Sequence, residues 1–116
     1  FVTGTVADVR PYVAHADVVV APLRIARGIQ NKVLEAMSMA RPVVVSAASA
    51  VGLAARDGIE CAIVEGAEGT AGRVLELLAD PARRARMGEA ARACVEARYS
   101  WQAHLALLDQ LLSETA

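Results

Sequence analysis

Cysteine, histidine, surplus charge and long apolar runs are all scarce in this chain, and each scarcity excludes a class of function. The formal net charge is −1, from 12 basic and 13 acidic residues. A surface made for nucleic acid or anionic lipid needs a concentrated excess of Lys and Arg, so neither is an expected partner. Two cysteines are too few for a disulfide framework. Cys61 falls in an apolar run and Cys94 on a helical pattern, so both read as buried thiols in a reducing, cytoplasmic compartment. His15 and His104 lack ligand-type neighbours at metal spacing, so no metal site is expected. No apolar run approaches the roughly 20 residues that cross a bilayer. Repeats, low-complexity tracts and linkers are missing too. What remains is 116 residues, 55% hydrophobic, enough for one domain with a buried core.

Four short apolar runs stand out: FVTGTV (1–6), DVVVAPL (17–23), PVVVS (42–46) and ECAIVEG (60–66). They are β-branched and uninterrupted rather than alternating, the mark of strands covered on both faces. Helix-length segments, VADVRPYVAHA and NKVLEAMSMAR, separate the first three. Strand, helix, strand in alternation predicts an α/β fold around a parallel sheet. After the fourth run the chain reads as helical to its end. Val74, Leu75, Leu77 and Leu78 supply the apolar face of one helix. Asp80 and Pro81 open the next, as N-cap and first-turn residue, and Met87, Ala91, Cys94 and Val95 recur along it at helical spacing, opposite Arg83, Arg84, Glu89 and Arg92. Ser100 caps a last helix whose Trp101, Leu105, Leu108, Leu111 and Leu112 form a stripe that needs a cover.

The stretch RGIQNKVLEAM (27–37) lies where the second run hands over to a helix, the corner at which open parallel sheets bind ligands. Asn31 suits the N-cap and Lys32 the first helical position. Gly28 lets a ligand approach the backbone, and the free amides at the positive end of the helix favour an anion such as a diphosphate. Glu35, one turn in, can accept hydrogen bonds from the vicinal hydroxyls of a ribose. Nucleotide binding is one reading. The other is ordinary connection chemistry, with Lys32 and Glu35 as a surface pair worth about 0.2–0.5 kcal/mol. Tyr12 is expected to pack, Arg24 to lie solvated or reach a phosphate, and Ser46 and Ser49 to form turns.

The segments VTGTVADVRPY, HADVVVAP, RGIQNKVLEAMSMARPVVVS and AVGL, followed by LLADPARRARMGEAARACVEARYSW, occur in the order that characterises one family. Nearly end to end, the chain resembles the C-terminal, donor-binding domain of retaining glycosyltransferases with two Rossmann-like domains, the GT-B architecture (group 1, family 4-like). The resemblance implies that Glu35 is the second acid of the family's E-x7-E motif and holds the ribose of a nucleotide-sugar donor. It implies that Gly28, Ile29, Gln30, Asn31 and Lys32 line the donor's diphosphate and sugar. Arg27 stands where the first acid belongs, so no catalytic residue is assigned; an Arg there can pair with the diphosphate or with an anionic sugar. No cofactor is implied, the nucleotide-sugar being substrate.

The same resemblance makes residues 1–116 a single, partial domain, with the first strands of that domain and the N-terminal domain lying outside the sequence and the fragment alone inactive. The G-I-Q-N-K-V-L-E variant is similar to sugar transferases of exopolysaccharide assembly, cytoplasmic enzymes or peripheral to the inner membrane. With the 3-2-1-4-5-6 strand order, DVVVAPL would expose an edge, and the piece is expected to dimerise through it or to repack its first strand against residues 17–22. A nucleotide-binding or protein-interaction module without chemistry, and a GT-B type sugar epimerase, are the alternatives.

Overall fold

The computed structural model describes residues 2–23, 31–99, 105 and 108–113. Its sheet has three parallel strands in the order β1 (Val19–Ala21), β2 (Val43–Ser46), β3 (Ala62–Val64), with Val19 opposite Val43 and Val44 opposite Ala62. The helices are α1 (Arg10–Ala14), α2 (Asn31–Ser38), α3 (Ala47–Ala50), α4 (Gly66–Ala79) and α5 (Pro81–Arg98). The α/β, Rossmann-like fold expected from the sequence is the fold found.

Side chains alternate across a strand, and the valines of β2 accordingly divide between two cores. Val43 and Val45 pack with Val33, Ala36 and Met37 of α2 and with Ala91 and Cys94 of α5, whereas Val44 packs with Leu77 of α4 and Met87 of α5. Helix α5 therefore serves both layers. Asp80 caps it as expected, its carboxylate accepting from the Arg83 amide at 3.0 Å with Pro81 in the first turn. Arg84 reaches back to donate to the Leu77 and Leu78 carbonyls at 2.8 and 2.7 Å, satisfying the free end of α4. At the other end of α5, the Cys94 thiol donates to the Ala54 carbonyl at 3.1 Å and the Tyr99 hydroxyl accepts from the Ala54 amide at 2.8 Å. The loop after α3 is thereby tied down.

Several expectations fail. Within the run at 1–6, the described residues 2–6 are not a strand: they are irregular and largely exposed, and Gly4 sits at φ +71°, which breaks an extended run. The repacking of this run against residues 17–22 is likewise not seen; β1 pairs with β2 alone among the described residues. The first helix is five residues long, and Tyr12 on it is 54% exposed rather than packed. The described part of α2 begins at Asn31, and the segment before it, on which the cap role expected of Asn31 turns, lies outside the described residues. On α4 the apolar face narrows to Val74 and Leu77, while Leu75 and Leu78 face outward because α4 is covered only on the side toward the sheet and α5. Ser100 and Trp101 lie outside the described residues; Leu105, Leu108, Leu111 and Leu112 are each about half exposed.

Candidate functional site

Strand β1 ends at Ala21, and the chain continues through Pro22 and Leu23 toward α2. Arg24, Arg27, Gly28, Ile29 and Gln30, all candidates from the sequence, lie outside the described residues. The candidates on α2 are described and fall on one side of a single cleft of about 750 Å³. Its floor is β1 with Pro22 and Leu23, one wall carries Asn31, Lys32, Val33 and Glu35, and the opposing wall carries Val9 and Val13.

The wall on α2 follows from its amphipathic pattern. Val33, Ala36 and Met37 are buried against the sheet and α5, which leaves Asn31 and Lys32 exposed and Glu35 half-buried at the cleft. No described residue forms a hydrogen bond or ion pair with the Glu35 carboxylate; the bond at this residue runs from the Ser38 hydroxyl to the Glu35 main-chain carbonyl, 2.6 Å. At the start of α1, beside Val9 but not lining the cleft, the Arg10 guanidinium is gripped by Asp8, with Nε 3.0 Å from Oδ1 and one Nη 2.9 Å from Oδ2. The grip holds the Asp8 carboxyl below its ordinary range and raises Arg10, to which the Glu35 charge also contributes.

A second cleft, of about 680 Å³, opens at the carboxyl ends of all three strands and shares Pro22 and Leu23 with the first. The sequence reading did not find it, although two helix starts directly after adjacent strands, at Ser46 and Gly66, are the available signal. Ser46 is occupied structurally: its hydroxyl donates to the Leu23 carbonyl at 2.6 Å and accepts from the Ser49 amide at 3.2 Å, capping α3. Ser49 is buried beside it. Both serines serve the local backbone rather than a turn, Ser46 as the cap of α3 and Ser49 inside that helix.

Elsewhere the chemistry is subdued. Cys61 and Cys94 are both buried and free, and burial pushes the Cys61 thiol up to about 11, away from nucleophilic use. Among the described residues no three His, Cys, Asp or Glu side chains gather closely enough to hold a metal ion, and no helix is long and apolar enough to cross a membrane.

A parallel sheet with helices packed on both faces places the chain in the α/β, Rossmann-like class. More narrowly, the family model described as glycosyl transferases group 1 matches residues 1–80, and the chain belongs to that family. Among solved structures it is similar to sucrose-phosphate synthase from Thermosynechococcus elongatus, with a TM-score of 0.78 and 26% identity over 92% of this chain and 27% of that one. It is also similar in fold to HepE of Anabaena in complex with UDP, with a TM-score of 0.77 and 20% identity over 94% of this chain and 29% of that one. The chain thus spans less than a third of either structure. No curated protein matches it.

Proposed function

We propose that residues 1–116 form part of the donor-binding domain of a retaining glycosyltransferase, which moves a sugar from a nucleotide diphosphate to an acceptor once an N-terminal domain completes the catalytic unit. The observation that carries this reading is the half-buried Glu35 carboxylate, open to the cleft one turn inside the start of α2. A ribose offers two adjacent hydroxyls to such a carboxylate, and the first-turn amides at Asn31 and Lys32 favour the diphosphate beyond it. Family membership supports the reaction class, and the HepE complex supports UDP as one nucleotide to try. Arg27, Gly28, Ile29 and Gln30 complete the proposed donor contacts, with Arg27 facing the anionic part of the donor. The GIQNKVLE string supports a role in exopolysaccharide or glycolipid assembly in the cytoplasm, and the edge of β1, unpaired among the described residues, supports self-association of the isolated piece.

Calorimetric titration of the natural full-length protein with UDP-, GDP-, dTDP- and CMP-sugars tests the reading. One donor class should bind, and Glu35→Ala should weaken it by at least about tenfold, because a charged hydrogen bond contributes about 1.5–3 kcal/mol. Binding that survives the substitution would leave a nucleotide site elsewhere or an interaction module.

A further inference from the structure

Deepening the donor-site reading and resting on it, we infer that Ser46 is a positioning residue for the donor: by holding the Leu23 carbonyl it fixes the floor of the cleft that contains Glu35, without touching the nucleotide itself. Pro22 and Leu23 belong to that floor, just beyond the end of β1. Packing does not hold them there. Neither is part of either core cluster, and Leu23 is 44% exposed. The strand ladder does not hold them either. Ala21, the last residue of β1, lies opposite Val45, and the same register would carry Leu23 opposite Ala47, which already belongs to α3. β2 has no extended residue left to pair with it.

The Ser46 side chain supplies what the strand cannot. A serine hydroxyl has one proton and two lone pairs. One lone pair of Ser46 accepts from the Ser49 amide at 3.2 Å, which caps α3, and the proton goes to the Leu23 carbonyl at 2.6 Å. The Ser49 hydroxyl, 3.1 Å from that of Ser46, is itself buried. Among the described residues no other group bonds Leu23. A single oxygen therefore ties the end of β1 to the start of α3. Without that tie the floor would have to be ordered by the ligand, and a surface fixed beforehand loses less freedom when a ligand settles on it.

The test is calorimetric titration of the full-length protein and its Ser46→Gly, Ser46→Ala and Ser46→Thr variants with UDP, GDP, dTDP and CMP, with Glu35→Ala alongside and the Tm of each measured. Glycine is tolerated at an N-cap at little cost and alanine is not, so the first two variants separate the cap from the tie. Both should weaken the nucleotide that the wild type prefers by about three- to tenfold, the factor one neutral hydrogen bond is worth, while Ser46→Ala shows the larger fall in Tm. Ser46→Thr keeps the hydroxyl and should bind as the wild type does. If Ser46→Gly keeps full affinity while Glu35→Ala loses it, positioning by Ser46 is wrong and the donor site stands. If the wild type binds none of the four, or Glu35→Ala binds as well as the wild type, the donor site itself is wrong.

Discussion

Gly88, midway along α5, is buried where that helix crosses the end of α2, and a Cβ built there would fall on the Ala40 carbonyl, whose carbon lies 2.8 Å away. The neighbour is main chain, and Ala40 itself sits in the left-handed region at φ +57°, closing α2 through its amide to the Met37 carbonyl at 3.0 Å. Neither side can give by rotating a side chain. Gly88→Ala gains about 1 kcal/mol of helix propensity but forces the two helices apart, and overpacking of this kind costs about 1–3 kcal/mol or more where backbone must move. The net expectation is a loss of up to about 2 kcal/mol, a Tm drop of roughly 4–8 °C for each kcal/mol in a domain near this size. Gly72, on the exposed side of α4, is the control: a Cβ there meets nothing within 4 Å, so Gly72→Ala should raise stability by about 0.5–1 kcal/mol. Thermal and urea denaturation followed by circular dichroism give both values. Equal gains for the two substitutions would refute the close crossing of α2 and α5.

Asp80→Ala removes the cap of α5 and should cost about 1 kcal/mol in a urea titration, with Asp80→Asn largely neutral. Glu60, buried and bonded to the Arg56 amide at 2.8 Å and to its guanidinium at 2.8 Å, is held below its ordinary value chiefly by the Arg56 side chain. A depressed carboxyl contributes stability above its unfolded-state value of about 4.5 and loses it as pH falls through the lower folded value. The urea midpoint should therefore fall across that acid range in the wild type and fall less in Glu60→Gln. Native protein should react slowly with a thiol reagent near neutral pH and rapidly at two sites once unfolded, because Cys61 and Cys94 are both buried; a fast native thiol would contradict their place in the core.

The sheet was legible because its strands are valine runs: DVVVA and PVVVS contain β1 and β2, and both faces of β2 are covered. The helical spacing of Met87, Ala91 and Cys94 likewise located the inner side of α5. Sequence could not show that VTGTV would stay out of the sheet, since extended propensity becomes a strand only where a neighbour supplies hydrogen bonds. Nor does an apolar residue state whether its helix is covered on one side or two, and so Leu75 and Leu78 were placed wrongly. Asn31, Lys32 and Glu35 are candidates from the corner between strand and helix, and the structure brings them to one cleft, a proximity that the spacing of a helix start already implies. The Asp8–Arg10 grip was not legible, because two charged residues two apart carry no signal until a turn folds them together.

Helix α1 has no buried residue; Val13 and Ala14 are half-covered and the rest face solvent. Opening that single turn exposes almost nothing apolar, so it belongs at the low end of local stability, where amide exchange is fast. A molecule wedged between it and β1 would supply packing that the chain itself does not. Its arrival would be felt first as a quieting of residues 8–14 with hardly any displacement, and the ordering of that turn would be subtracted from the affinity measured.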